Sequence, residues 1–126
     1  MSFCILIMLL SAAAVLPLSA AAEEKGAKPQ QKAAVTFVEL GSVNCIPCKA
    51  MQPVMKAIES KYKGKVRVVF YDVWTDQGAP YAKSYNIRAI PTQVFLDADG
   101  NEFFRHTGYY PEADIDAVLL ARGIKP

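Results

Sequence analysis

Two cysteines three positions apart, Cys45 and Cys48, are the residues whose type and spacing are best suited to chemistry. They follow the apolar run 35–40 and open the segment 49–62, whose apolar residues recur at helical spacing. At a helix start both thiols lie on one face, and the first lies near unpaired backbone N–H groups. Such groups stabilise a thiolate and lower the cysteine pKa from about 8.5. The pair therefore indicates reversible dithiol–disulfide exchange.

A C-x-x-C pair can also belong to a zinc site or form a structural bridge. Zinc needs two further ligands at short spacing, but the remaining candidates are Cys4, in an apolar N-terminal segment, and the single His106. A bridge over two intervening residues closes too small a loop to remove much entropy from the unfolded chain. Redox use is therefore favoured, with no metal and no cofactor other than the Cys45–Cys48 pair itself.

The first 22 residues contain no charged side chain. Residues 5–16 are an apolar run of signal-peptide length, and the small residues 19–22 suit cleavage after Ala22. Export to the periplasm or another extracytoplasmic space is therefore expected. An uncleaved membrane anchor is the alternative, because residues 3–22 are long enough to span a bilayer and residues 1–4 lack the usual Lys or Arg.

Removing 22 of the 126 residues leaves enough chain for one modest core. Residues 23–33 are polar and aperiodic and are expected to form a linker, so the domain is assigned to residues 34–126. All 14 basic and 12 acidic side chains lie after residue 22, and their mixed signs argue against a nucleic-acid surface. We expect a monomer that touches the membrane only if residues 1–22 are retained.

The remaining pattern predicts an α/β fold. Residues 34–40 are apolar at nearly every position, as in a strand buried on both faces. A helix follows over residues 46 to about 62, with a kink at Pro53, and residues 65–73 form a second buried strand parallel to the first. The later elements are a short helix near 79–85, a β-hairpin of strands 93–96 and 101–105 around the turn 97–100, and a helix over 111–121. The order is β-α-β-α-β-β-α, with helices flanking a central mixed sheet.

With these motifs in place, residues 34–123 resemble the thioredoxin family. Residues 45–49 match its C-x-P-C-K opening, Pro53 stands where its active-site helix kinks, and residues 85–92 resemble its cis-proline loop. Gly108 fits the glycine before its last helix. The resemblance implies a thioredoxin fold and an exported thiol–disulfide oxidoreductase of thioredoxin type.

In that mechanism the thiolate of Cys45 attacks a substrate disulfide, and Cys48 resolves the mixed disulfide. The resemblance also implies a cis Ile90–Pro91 bond beside Cys45, whereas Pro91 alone would suggest an edge-strand or turn proline. The substrate-binding residues expected around the disulfide are Ile46, Pro47, Ile90, Pro91 and Tyr109. Trp74, Tyr109 and Tyr110 could line the groove, although lone aromatics near loops more often serve packing, and Tyr109 is the better candidate.

Three positions, Gly41, Asn44 and Phe70, depart from the family pattern around a buried acid. Glu39 stands where thioredoxins place a buried acid, and it is expected to act as general base on Cys48 through a water, unless it turns to solvent. Phe70 stands where the family has a lysine paired with that acid, so the carboxyl pKa should rise. Gly41 and Asn44 each replace a tryptophan. His106 has no partner at catalytic spacing and is expected on the surface.

The direction of exchange follows from the residues between the cysteines. Ile46 and Pro47 provide no cation that would strongly stabilise a thiolate, which favours a reductant of protein disulfides over an oxidase. A reductant outside the cytoplasm needs electrons from across the membrane, and the resemblance implies a membrane thiol transporter as donor. Two alternatives stay open: a thioredoxin-fold binding module with a static bridge, and a metallochaperone that holds copper or zinc with the two thiols.

Overall fold

A computed structural model describes residues 32–126 of the chain. The elements are β1 (Val35–Gly41), α1 (Ile46–Lys61), β2 (Val66–Asp72), α2 (Ala79–Ser84), β3 (Thr92–Asp97), β4 (Glu102–Thr107) and α3 (Glu112–Ala121). Their order is the predicted one, and each boundary lies within two residues of its expected place. The expected signal segment 1–22 and most of the linker 23–33 lie outside the described residues. No helix within residues 32–126 is long and apolar enough to cross a membrane.

The four strands form one mixed sheet in the order β2-β1-β3-β4. Strand β1 pairs in parallel with β2 and antiparallel with β3, and β3 pairs antiparallel with β4. The predicted mixed sheet, flanked by helices, is confirmed. The hairpin turn is also as predicted: the Asp97 carboxylate accepts hydrogen bonds from the backbone N–H groups of Asp99 and Asn101, and Gly100 adopts a φ of +85°.

Strand β1 is central in this sheet and is buried at six of its seven positions, as its continuous apolar run predicts. The second strand, β2, was expected to be buried too, and that expectation is wrong. Only Val66 of β2 is buried, because within the described residues β2 is an edge strand with a single neighbour. Apolar residues alone do not distinguish an edge strand from a central one.

The main core lies between one face of the sheet and helices α1 and α3. The rings of Phe37 on β1 and Phe95 on β3 stack with centroids 4.9 Å apart. The helices cover them with side chains at helical spacing, as expected for the two methionines: Met51, Val54, Met55, Ile58 and Tyr62 from α1 and Ile115 and Leu119 from α3. A smaller cluster of Val38, Leu40 and Val94 fills the opposite face. The packing of α1 on the face of the main core places the N-terminus of the helix next to the carboxyl end of β1.

Candidate active site

The two cysteines form a disulfide at the N-terminus of α1. Cys45 is the N-cap residue, with extended backbone angles, and its Cα lies 5.2 Å from that of Cys48. Cys45 is 7% exposed and Cys48 is 0% exposed. An incoming group therefore meets Cys45 first, which supports the prediction that Cys45 is the nucleophile and Cys48 the resolving thiol.

The first turn of α1 offers a favourable environment for a thiolate on Cys45. The backbone N–H of Lys49 donates to the Cys45 carbonyl at 2.9 Å, so earlier N–H groups of the turn have no partner within the helix. Pro47 in this turn has no N–H to offer, and the turn contains no acidic side chain. The partial positive charge of the helix end is therefore not offset by a carboxylate of its own first turn.

The loop that leads from β1 to Cys45 is held by two polar side chains. The Asp72 carboxylate accepts hydrogen bonds from the backbone N–H groups of Val43 and Trp74, each at 3.1 Å. The hydroxyl of Ser42 accepts one from the N–H of Asn44 at 3.2 Å. The bonds from the Val43 and Trp74 N–H groups, that of Val43 first, lower the pKa of the Asp72 carboxyl. Sequence reasoning did not identify Asp72 or Ser42; the available signal was an aspartate at the end of a parallel strand, next to the motif loop.

Gly41 ends β1 directly against the resolving cysteine. A Cβ atom at Gly41 would lie 3.2 Å from both Cβ and Sγ of Cys48 and 3.4 Å from the ring of Phe70. In this chain Cys48 and Phe70 therefore fill the space beside position 41, where the family has a tryptophan.

Glu39 is fully buried, so the alternative in which it turns to solvent is wrong. It lies two residues before Gly41 on the same face of β1, the face covered by α1. Its Oε1 accepts a hydrogen bond from Nε2 of Gln93 at 3.3 Å, and its Oε2 has no protein partner. Burial raises the pKa of Glu39 to about 8, although the Gln93 bond lowers it. The predicted buried carboxyl is present; its role as a base stays a prediction.

Phe70 is the β2 partner of Glu39 in the sheet register, so the neighbour of the Glu39 carboxyl on β2 is a phenyl ring and not a cation. On the other side of Glu39, Gln93 is its partner on β3, and His106 is the partner of Gln93 on β4. Nδ1 of His106 lies 2.9 Å from Oε1 of Gln93. The expectation that His106 is a surface residue holds only in part: the residue is half-buried, and its ring stacks on that of Tyr110 with the centroids 4.1 Å apart.

The expected substrate-binding residues lie at one end of the strands, around the carboxyl end of β1. Pairing of Leu40 with Thr92 places Pro91 beside the end of β1, and the Ile90–Pro91 bond is cis, as the resemblance implied. The N–H of Gly108 donates to the Pro91 carbonyl at 2.8 Å, which brings Tyr109 to the same end. Pro91 is buried, whereas Pro47 and Tyr109 are exposed. Register thus gathers the cis-proline loop, the Gly108 loop and the disulfide.

Several apolar side chains at this end of the sheet face solvent. Ile46 is 82% exposed and Trp74 is 62% exposed, and Val43 and Tyr109 are exposed as well. The packing interpretation of Trp74 is therefore wrong, whereas it holds for Tyr110, which stacks on Phe104 and His106. Within residues 32–126, no group of three or more His, Cys, Asp and Glu side chains could hold a metal ion.

Comparison with known proteins adds to this geometry. Residues 20–123 match the family described as "Thioredoxin-like domain". Thioredoxin C-2 of Corynebacterium nephridii is 35% identical over 75 residues, which cover 60% of this chain and 67% of that protein. Thioredoxin of Staphylococcus aureus strain Mu50 is 29% identical over 85 residues, which cover 68% of this chain and 79% of that protein.

Proposed function

The chain belongs to the thioredoxin-like family, and we propose that its dithiol reduces disulfides in proteins outside the cytoplasm. Thiol–disulfide oxidoreductase activity itself follows from the family and the pair Cys45 and Cys48. The observation that carries the proposal is the arrangement of the pair: Cys45 keeps a small exposed fraction at a helix start, whereas Cys48 is fully buried against Gly41.

The reaction moves two electrons from the enzyme to its substrate. The thiolate of Cys45 attacks one sulfur of a substrate disulfide, which forms a mixed disulfide and releases the other substrate sulfur as a thiolate. Cys48 then loses its proton and attacks Cys45, so the bond to the substrate breaks and the enzyme disulfide forms. The substrate leaves as a dithiol after taking up protons.

Glu39 is the group we assign to receive the Cys48 proton. It lies on the same face of β1 as Gly41, which approaches the Cys48 sulfur, and no cation contributes to its pKa. A carboxyl with a pKa of about 8 exchanges protons readily near neutral pH, which is the condition for an efficient general base. The proton would pass directly or through one water.

The exposed apolar surface beside the disulfide supports a protein substrate. Ile46, Trp74 and Tyr109 expose apolar surface at the end of the sheet where Cys45 lies. The backbone beside Pro91 can pair with an extended segment held over Cys45. Peptide segments near a disulfide can supply both an extended backbone and apolar side chains. Disulfide-containing proteins are accordingly the substrate class that the family suggests.

Two sequence features support the reducing direction and the location. No cation stands between the cysteines to hold the reduced form strongly, which disfavours an oxidase. Residues 1–22, uncharged throughout, resemble a signal peptide or an anchor. A reductant in an oxidising compartment must be recharged, and we propose a membrane thiol transporter as the dithiol donor.

The decisive experiment is the reduction potential of the Cys45–Cys48 pair, measured by equilibration with glutathione or dithiothreitol, together with reduction of insulin. A potential near about −270 mV with insulin reduction supports a reductant; a potential near about −120 mV would reverse the direction. A disulfide that resists dithiothreitol and shows no insulin reduction would indicate a static binding module. Copper or zinc retained through purification, and lost on thiol alkylation, would indicate a metallochaperone.

Export is tested separately by fusing residues 1–31 to a reporter that is active only outside the cytoplasm. Activity is expected with the natural segment, and none when Leu9 and Leu10 are both changed to Arg, which breaks the apolar run. Mass spectrometry of the mature protein then decides between cleavage after Ala22 and a retained anchor. A reporter that is inactive with the natural segment would contradict export.

A further inference from the structure

Four side chains form a row across the whole sheet, on the face that α1 covers. Sheet register pairs Phe70 on β2 with Glu39 on β1, Glu39 with Gln93 on β3, and Gln93 with His106 on β4. Directly paired residues of neighbouring strands point to the same face. The row therefore leads from the buried carboxyl behind the disulfide to a half-buried imidazole on the outermost strand.

The hydrogen bonds along this row have one consistent direction. Nδ1 of His106 lies 2.9 Å from Oε1 of Gln93, and Nε2 of Gln93 lies 3.3 Å from Oε1 of Glu39. The amide oxygen can only accept, so His106 carries a proton on Nδ1 and donates it to Gln93. The amide is thereby held with its NH₂ group toward the carboxyl.

We propose that His106 is a positioning residue for proton transfer at the disulfide, acting through Gln93 on Glu39. With the amide held by His106, Oε1 of Glu39 is occupied by a donor, and Oε2, which has no protein partner, is the oxygen that exchanges a proton with Cys48. This inference rests on the proposed thiol–disulfide exchange, for which the proton must move.

Without the His106 donor the amide could turn over. Its oxygen would then face Glu39 and accept a hydrogen bond from the protonated carboxyl, which favours the protonated form. In the observed orientation the amide NH₂ donates to the carboxyl, and this bond lowers the pKa that burial raises. His106 thus keeps the carboxyl closer to the range in which it can act as a base.

Few other titratable groups reach this row. On β2 the neighbour is Phe70, and on α1 the groups facing the sheet near it are Cys48 and Met51. Tyr110, ahead of α3, covers the His106 ring, and Asp114 in the first turn of α3 is one cause, after burial, of a raised Tyr110 pKa. Cys48 does not titrate while it is disulfide-bonded, and the variants are compared over the full pH range so that the surrounding groups affect each of them alike.

Two substitutions of His106 separate its donor from its ring. His106→Asn keeps an N–H near the position of Nδ1 and loses the stack on Tyr110, whereas His106→Phe keeps the stack and loses the donor. The Glu39 carboxyl is titrated by ¹³C NMR in the oxidised full chain. We expect His106→Phe to raise the Glu39 pKa by about one unit, and His106→Asn to leave it near the wild-type value.

The kinetic counterpart is the pH profile of the step in which Cys48 resolves the mixed disulfide. A rise of one unit lowers the ionised fraction of Glu39 at neutral pH, and with it the rate, about tenfold in His106→Phe, with recovery in His106→Asn. Gln93→Leu should shift the profile as His106→Phe does. Nitrogen-15 shifts should place the proton of neutral His106 on Nδ1.

Three results would overturn the proposal: equal Glu39 pKa values in wild type and His106→Phe, equal shifts in both His106 variants, or a neutral His106 protonated on Nε2 alone. The NMR titration needs no turnover, so it separates this proposal from the function. A wild-type chain that does not reduce insulin would refute the proposed function, whatever the carboxyl titration shows.

Discussion

Gly41 approaches Cys48 so closely that a Cβ atom on Gly41 would lie 3.2 Å from both Cβ and Sγ of Cys48. The end of β1 thus forms the wall behind the resolving sulfur. The ring of Phe70 closes the same space, 3.4 Å from that Cβ position. The buried cysteine is therefore held by backbone and ring rather than by a large side chain at position 41.

The first prediction concerns this contact. Gly41→Ala should destabilise the reduced protein by about 1–3 kcal/mol, because the added methyl overfills the space beside Cys48. Chemical denaturation of the reduced protein measures the change. In a double-mutant cycle with Cys48→Ala, which removes Sγ, part of the loss should be recovered. Strictly additive effects of the two substitutions would contradict the contact.

The two cysteines should behave differently as single variants. Cys48→Ser should accumulate mixed disulfides with protein substrates, because Cys45 can attack and nothing resolves the product. Cys45→Ser should accumulate none, because its remaining sulfur is fully buried. Non-reducing gels followed by mass spectrometry give the readout, and equal alkylation rates for the two thiols at neutral pH would contradict the assignment.

Glu39 should make stability depend on pH. Its pKa is raised from 4.5 to about 8 in the folded state. Between these values the unfolded chain has lost the proton that the folded protein keeps, so the contribution of Glu39 to stability is greatest below about pH 4.5 and falls as pH rises toward 8. Glu39→Gln removes this loss, and its advantage over wild type should grow by up to about 1.4 kcal/mol per pH unit.

Denaturation curves at several pH values measure that advantage. The exposed carboxyl of Glu59 on α1 provides the matched control, since Glu59→Gln removes the same charge from solvent. An advantage of Glu39→Gln that does not vary between pH 5 and 8 would contradict the buried, uncompensated carboxyl. The same variant should slow the resolving step at neutral pH, because its base is gone.

The ionised carboxylate of Asp72 should stabilise the loop before Cys45, and this stabilisation should be lost when acid protonates the carboxylate. Hydrogen bonds from the N–H groups of Val43 and Trp74 lower its pKa, so this contribution is present above the unfolded value of 3.8 and lost as pH falls through the lower folded value. Asp72→Ala should lower the melting temperature near pH 6 and flatten its dependence on acid. Asp76→Asn, exposed in the next loop, should leave the acid dependence as in wild type.

The exposed apolar side chains around the disulfide should increase kcat/KM for protein substrates but not for small disulfides. Trp74→Ala should lower kcat/KM for insulin about fivefold, the scale of about 1 kcal/mol for an interface aromatic, while reduction of a small aromatic disulfide stays unchanged. Leu120→Ala, on the similarly exposed Leu120 near the end of α3, should affect neither substrate. Equal losses for both substrates in Trp74→Ala would indicate damage to the site rather than to docking.

Local patterns in the sequence determined much of this protein. Helical spacing, the apolar run of β1 and the turn residues 97–100 predicted the order of elements, because each depends on neighbours within one element. The C-x-x-C pair predicted the site, because helix geometry alone brings Cys45 and Cys48 together. The cis Ile90–Pro91 bond was predicted by the resemblance of residues 85–92 to the cis-proline loop of the family, not by Pro91 itself.

Only the tertiary structure decided which strand is at the edge and which distant side chains meet. The apolar residues of β2 look the same in an edge strand and a central one, and among residues 32–126 the strand order gives β2 a single neighbour. Gln93 and His106 are 13 residues apart, and nothing local indicates that they bond to each other. Strand register places them in one row with Glu39, because pairing across a sheet depends on the packing of whole strands rather than on any one segment.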